Sequence, residues 1–518
     1  MAAAPDWART YAATIRPEEL RQHLTVVASD AFQGREAGQP GQKLAADYLV
    51  KQFAALGLQG PVTGSDNPYL QHFQLTKGTF AEGGYVQANG QRFEYLSDFF
   101  SYGPLPSPFR TETVSRPVFV GFGVEQGAYS DYTGLDVRGK DVVAIVGEPQ
   151  DARGRKTLSP SGRPADYWNT GLRKAALAKA KGARSFFLMT PAPTAMFRKQ
   201  LADSYTAALH EPSISLTDPG TELIDTVHET MPANFGMYLT SQELGLQLIG
   251  VSMQGVFEYI RGATALSSFK APAVSIHLPQ PQEQLTTENV LGFLEGTDKK
   301  EEVLVVSAHY DHLGMKHDTV YNGADDDGSG TVAVLAIAQA FAQAKKEGHG
   351  PRRSILFVAM TAEEEGLFGS EYYTAHPVVP LERTIADLNI DMVGRTDRKH
   401  SAKKHFVCIV GSDKLSSELH QINEAANRDY THLALDYRYN VPNEPEQIYY
   451  RSDHYNFARR KIPVIFYTTG EHADYHKATD DVEKIEFDKL TERAQLVFHT
   501  AWELANREGR IRVDSNKP

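Results

Sequence analysis

His309, Asp311, the run Asp325-Asp326-Asp327, the pair Glu363-Glu364, Asp391 and His476 are the side chains whose types and positions could do chemistry together. Each stands just past a strand-like run or at the mouth of a helix. The run 302–307 leads into Ala308-His309-Tyr310-Asp311-His312, the run 354–360 into Thr361-Ala362-Glu363-Glu364-Glu365, and the run 385–390 directly into Asp391. A glycine-flanked triplet, Gly323-Ala324-Asp325-Asp326-Asp327-Gly328, precedes a helical pattern. The run 463–467 is followed by His472 and then by Tyr475-His476-Lys477-Ala478-Thr479-Asp480. Ligand sites of open α/β sheets lie beyond the carboxyl ends of the strands, so these stations converge. Converging carboxylates repel one another and need a neutralising charge. Histidine and carboxylate without cysteine suit zinc, with cobalt or manganese as substitutes. Two histidines among several carboxylates fit two ions, one terminal histidine each, sharing a bridging Asp. That arrangement activates one water between the metals for hydrolysis.

The elements that must position these groups are legible from periodicity. Runs 302–307 and 354–360 are nearly all apolar, as buried parallel strands are, and 329–344 carries apolar residues at helical spacing. Runs 385–390, 406–410 and 463–467 read as further strands and 489–505 as a closing helix. Upstream, Pro17 opens one helix at the position proline favours, and a second runs through 42–53 to a stop at Gly57. The stretch from 115 to about 262 reads differently, as short strands and one helix over 172–181 without a clustered His/Asp/Glu set. The expected organisation is an α/β catalytic domain with a mixed, mostly parallel sheet, split into 1–114 and 265–518 by a small β-rich insert at 115–264.

Composition narrows the classes. The chain has 518 residues, with 41% hydrophobic and 23% charged, which is ordinary globular composition. The net charge of −12 and the shortness of the basic run 398–405 argue against nucleic acid as a partner. Cys408, the single cysteine, stands in an apolar run and excludes a disulfide framework and a cysteine metal knuckle. No run approaches 18 apolar residues, so membrane insertion is not expected. The start, Met1-Ala2-Ala3-Ala4-Pro5-Asp6, lacks a basic segment followed by an apolar one.

Several motifs then resemble the co-catalytic dizinc aminopeptidase family, whose relatives include bacterial leucyl aminopeptidase, glutamate carboxypeptidase II and the transferrin receptor. They are His309-Tyr-Asp311, Gly323-Ala-Asp325-Asp326-Asp327-Gly-Ser-Gly330, Ala362-Glu363-Glu364-Glu-Gly-Leu-Phe-Gly-Ser370, Asn389-Ile-Asp391-Met-Val-Gly394, Arg451-Ser-Asp453-His454 and Tyr475-His476, with Gly34-Arg35-Glu-Ala-Gly38 upstream. The resemblance covers the N-terminal helices through Gly57 and nearly everything after 285. It implies two Zn2+ ions and the zinc-peptidase, phosphorylase/hydrolase-like fold. Asp325 is implied as the bridging carboxylate, with His309 and Asp391 on one zinc and Glu364 and His476 on the other. Glu363 is implied as general base, Asp311 as the group orienting His309, and a cis peptide bond at Asp325–Asp326. The insert resembles a protease-associated domain through Gly121-Phe-Gly123, Tyr129-Ser-Asp-Tyr132 and Val137-Arg-Gly139-Lys140. A secreted or periplasmic location follows by resemblance, with the cytoplasm left open.

The expected function is a metallo-exopeptidase, an aminopeptidase acting on peptides with a free N-terminus. The alternatives are a glutamate carboxypeptidase-like exopeptidase or dipeptidase, a glutaminyl cyclase-like transferase and a non-catalytic receptor-like protein. Tyr467, Tyr475 and His454 stand as alternative oxyanion donors. Asp453 and Asp480 are expected as hydrogen-bond acceptors behind the site, and His312, Asp327 and Glu365 as neighbouring filler. His317, His349, His400, His405 and His420 are expected at the surface, and Trp7, Trp168 and Trp502 in packing roles. Side-chain preference and oligomeric state are left open by the sequence.

Overall fold

The structure, a computed structural model, describes residues 5–78, 83–101, 113–149, 158, 171–204, 213–218, 235–261, 266, 269–278, 282–400, 404–441 and 444–515. Two compact units divide the chain. One comprises Met1–Leu75, Asp218–Thr221 and Leu285–Pro518, the other Thr76–Thr217 and Glu222–Gln284.

In the first unit, strands lie side by side in the order Leu70–Gly78, Gln282–Leu294, Arg353–Met360, Lys299–His309, Thr384–Ile390, Val464–Thr468, Phe406–Val410, Ala434–Asp436. The central four are mutually parallel. His309 lies opposite Met360, Ser307 opposite Asn389, and Ile390 opposite Tyr467, so their carboxyl ends reach one edge together. Antiparallel pairing at Val290–Leu294 and at Cys408–Val410 makes the sheet mixed.

Period-2 alternation sorts the apolar strand residues between two helical layers. Leu304, Val306, Ala308, Ile355, Phe357 and Ala359 pack with the helices Gly330–Lys346 and Phe487–Asn506. Val303, Val305, Leu356 and Val358 face the other way, onto Tyr373 and Phe457 of the helices Phe368–Ala375 and His454–Arg459. Burial on both faces is why these strands carry almost no polar residue before their ends. Cys408 is buried in this sheet.

Arg35 ties the N-terminal segment to the site. Its side chain is fully buried and donates to the carbonyls of Tyr310 (2.7 Å), Val27 (2.8 Å), Asn322 (2.7 Å) and Gly323 (2.9 Å). Three of those carbonyls belong to the loops that follow His309 and precede Asp325. A planar, permanently charged fork of five N–H donors suits holding four carbonyls at once.

The second unit contains a sheet in the order Phe99–Ser101, Gly236–Thr240, Ser185–Met189, Asp141–Ile145, Val118–Phe119, and another in the order Gln91–Glu94, Tyr85–Ala88, Val274–His277, Thr113–Ser115. It begins at Thr76 rather than at the composition shift near 115. The reason is non-local pairing: Val274–His277 pairs with Tyr85–Ala88, and Tyr238–Thr240 with Phe99–Ser101. Trp168 lies outside the described residues.

The helix Pro40–Ala55 starts against the Asp30–Arg35 turn, and a Cβ at Gly41 would stand 1.9 Å from the Phe32 carbonyl oxygen. Gly41→Ala is therefore expected to lower stability by about 1–3 kcal/mol, read from the urea midpoint. An unchanged midpoint would show that this turn yields freely.

Candidate metal centre

The parallel register gathers the site. His309 ends its strand, Asp391 follows Ile390, and Glu363-Glu364 stand three residues beyond Met360. The triplet Asp325–Asp327 forms a wide turn, Ala324–Ser329, leading into the helix Gly330–Lys346. His476, with φ +55°, projects from the loop after Val464–Thr468.

Asp326 stands between two histidines. Its Oδ1 is 3.3 Å from His309 Nε2 and its Oδ2 is 3.1 Å from His476 Nε2. Asp391 Oδ1 completes the first group at 3.7 Å from His309 Nε2, and Glu364 Oε2 the second at 3.0 Å from His476 Nε2. Donors bound tetrahedrally at zinc distances sit about 3.3 Å apart, and these separations bracket that value. His309 Nε2 and Asp326 Oδ2 are buried without a hydrogen-bond partner among the described residues. Unpartnered buried nitrogen and oxygen atoms at that spacing, with no sulfur, fit a divalent ion in each group.

The structure shifts the expected register of the triplet by one residue. Asp325 does not join the groups: its Oδ1 accepts from the Gly394 amide (2.6 Å) and its Oδ2 faces His472 Nε2 (3.2 Å). The cis peptide bond falls at Asp326–Asp327, not Asp325–Asp326. Asp480 Oδ2 accepts from the amides of Asp325 (2.9 Å) and Asp326 (3.1 Å) and so fixes the turn that aims Asp326.

Neighbours expected to be filler are engaged. His312 is buried, with Nδ1 2.7 Å from Glu364 Oε1, and His312, Asp326 and Glu364 present atoms close enough to share an ion. Asp327 does the same with His309 and Asp391, while its Oδ1 accepts from the amides of Gly330 and Met392. Residue type and a two- or three-residue offset from the ligands were the available signals, and they could not rank these neighbours. His400 is not a surface residue: its side chain is 3% exposed, between Asp397 (2.7 Å) and Asp436 (3.1 Å).

Asp311 Oδ1 accepts from the Glu363 amide (3.2 Å) and stands 3.6 Å from His309 Nδ1. Ser452 donates to Asp391 Oδ2 (2.7 Å) and accepts from Asn389 Nδ2 (2.9 Å), which orients that carboxylate. Of the three aromatic donors, Tyr467 is spent on Asn423 (2.8 Å) and His454 is enclosed by Tyr449 and Phe466. Only Tyr475 lines the chamber over the site, with Met392, Ile448 and Phe466.

Burial raises the Glu363 carboxyl well above the usual range; His309 opposes this, and the charges of Asp391 and Glu364 add to it. Burial would lower His476, but Asp326 and Glu364 hold it up to about 10. Asp453, also buried, is pushed up to about 7. The site is one in which protons occupy places that suit a cation.

Residues 289–501 match Peptidase family M28. A probable leucine aminopeptidase 2 of Aspergillus oryzae (strain ATCC 42149 / RIB 40) is 29% identical over 219 residues, 42% of this chain and 39% of that protein. Aminopeptidase YwaD of Bacillus subtilis (strain 168) is 24% identical over 278 residues, 52% of this chain and 54% of that protein. The chain thus spans about half or less of the length of these relatives. Among solved structures, the aminopeptidase from Aneurinibacillus sp. strain AM-1 is similar with a TM-score of 0.50 at 17% identity, covering 99% of this chain and 100% of that one. That likeness is one of fold. The M28 segment holds His309, Asp326, Glu363, Glu364, Asp391 and His476, and leaves Arg35 outside it.

Two outcomes are expected. Asp326→Asn should strip metal from both groups, whereas Asp325→Asn should retain it, as read by metal analysis after dialysis; the reverse pattern would return the bridging place to Asp325. The second concerns pH. In the metal-free chain the stabilisation from His476 is full below 6.5 and lost as pH rises toward about 10, and Asp453, raised from 3.8 to about 7, also lowers stability as pH rises between those values. Metal displaces these protons, so the gain in Tm on adding zinc to EDTA-treated protein should be larger at about pH 8 than at about pH 6. A gain that shrinks with pH would contradict this electrostatic reading.

Proposed function

We propose that the chain is a dizinc aminopeptidase of family M28, with Asp326 as the bridging ligand, His309 and Asp391 holding one ion, and Glu364 and His476 the other. The observation that carries this reading is Asp326, which offers one carboxylate oxygen to each histidine. Zinc held there supplies Lewis acidity, lowering the pKa of water and polarising a peptide carbonyl.

The rest is done by side chains. Glu363 lies beside the first group, 3.9 Å from His309 Nε2, and its raised affinity for a proton suits a general base. It takes a proton from the water whose oxygen adds to the peptide carbonyl carbon, and delivers that proton to the leaving amine nitrogen as the C–N bond breaks. Asp311 fixes the backbone of Glu363 and the ring of His309, and Ser452 holds Asp391. Tyr475, on the chamber wall and stacked on His476, is placed to donate to the developing oxyanion. Met392, Ile448 and Phe466 offer an apolar wall to the side chain of the N-terminal residue. The second unit is read as a protease-associated domain, a reading supported by its one mixed and one antiparallel sheet and by the left-handed backbone at Gly121, Gly123 and Gly139. Among the described residues no helix is long and apolar enough to cross a membrane.

One observation favours a second reading, an exopeptidase that binds the C-terminus: Arg451 lines the same chamber. Peptides with free and acetylated N-termini separate the two. Cleavage confined to free N-termini is expected, and equal cleavage of both would overturn the aminopeptidase reading. Glu363→Gln should keep its metal and lose turnover by about 10²–10⁴-fold; an active variant would remove Glu363 from the general-base role.

A further inference from the structure

Beside the chamber over the metal ligands lies a second cavity of about 300 Å3, and the two share Glu471 and Tyr475 as a common wall. That volume is at the lower end of small-molecule sites, roughly 300–1,000 Å3. Its lining is rich in charge, and the charges do not cancel locally. Each acid of the lining faces an arginine or lysine: Glu471 is 3.0 Å from Arg451, Glu446 is 3.2 Å from Lys399, and Asp397 is 3.5 Å from Arg438, which it shares with Asp436. Arg398 and Lys477 also line the cavity, and no carboxylate among the described residues lies within ion-pair distance of either. Lys477 Nζ donates to the Ala473 carbonyl at 2.6 Å, which keeps the ammonium at the cavity while leaving its charge unmatched. The cavity therefore presents two spare cations next to the catalytic chamber.

We infer that this second cavity is the subsite for the part of the peptide downstream of the scissile bond, and that Arg398 and Lys477 select a carboxylate there. The inference rests on the aminopeptidase reading for the direction in which the peptide lies. With the N-terminal residue against Met392, Ile448 and Phe466, the leaving segment passes Tyr475 and Glu471 and enters the cavity. The carboxylate has two sources, the C-terminal α-carboxylate of a short peptide or an Asp or Glu side chain two or three residues in. A residue spans at most about 3.6 Å, so aminoacyl chromogenic substrates end before the cavity.

The test uses zinc-loaded protein and three peptides of equal length: a neutral peptide with a free C-terminus, the same peptide amidated, and an amidated peptide with Glu at its third position. The wild-type kcat/KM for either carboxylate-bearing peptide should exceed that for the neutral amide on the order of fivefold, and the ratio should shrink at high salt. Whichever carboxylate peptide is favoured identifies the source. In Arg398→Ala/Lys477→Ala the ratio should fall to about one, and in Lys477→Glu it should invert in favour of a Lys-containing amide, whatever either change does to turnover of all peptides. A wild-type ratio of one, or a ratio unchanged in both variants, overturns the inference. Calorimetric titration of Glu363→Gln with the same peptides reads the cavity without turnover, and equal affinities for the acid and the amide overturn it there too. Failure of the aminopeptidase reading looks different, since acetylated peptides would then be cleaved as well as free ones.

Discussion

Burying like charge is the constraint around which this molecule is arranged. Asp311, Asp325, Asp326, Asp327, Asp391, Asp453 and Asp480 crowd the carboxyl ends of the central strands, all of them buried. Isolated carboxylates in such a place are costly, and the protein answers in three ways. Backbone amides donate to one oxygen each of Asp480 and Asp327. A bound proton suits Asp387 and Asp453, whose carboxyls are raised by burial. Positive charge meets the remainder: His309 and His476 on Asp326, His472 on Asp325, and Arg35 among the loops. Metal extends the third answer, and the same crowding that makes the empty arrangement unfavourable makes a divalent ion welcome.

The sheet turns that constraint into a defined geometry. Because the central strands are parallel and in register, side chains from separate stretches of sequence arrive at one edge without a long loop to carry them. Hydrogen bonds inside the sheet then aim them. A chain of side chains links the strand interior to the site: Ser307 donates toward Asp387 and Asn389, the Asn389 amide donates to Ser452, and Ser452 donates to Asp391. Every member is buried, so the chain is not diluted by water. The Asp391 carboxylate is in this way oriented by side chains that begin inside the sheet.

The layered α/β core was legible because its signal is local: apolar runs bounded by polar ends mark 302–307 and 354–360. The convergence of His309, Glu363, Glu364, Asp391 and His476 was legible for the same reason, since each lies at a strand end or in the loop beyond. Which of Asp325, Asp326 and Asp327 stands between His309 and His476 was not. Three identical residues in one irregular turn differ only in the direction the backbone gives them, and that direction is set by Asp480 and Gly394, far away in sequence. His312 and His400 escaped for a related reason. A polar stretch reads as exposed unless its partners are known, and those of His312 and His400 come from separate segments. The start of the second unit was hidden by strand pairing between residues more than a hundred apart.

Arg35 gives the N-terminal segment a standing that its sequence distance from the ligands conceals. The carbonyls it holds lie on both sides of the ligand-bearing loops, yet the arginine itself precedes the family segment by some 250 residues. The stretch that carries every ligand is therefore not the stretch that builds the centre. Residues 289–501 cut free would keep all the donor atoms and lose the clamp that spaces them. In this protein the smallest cooperative unit is discontinuous: its boundaries are drawn by what a buried guanidinium holds, and recombination or domain grafting would have to respect them.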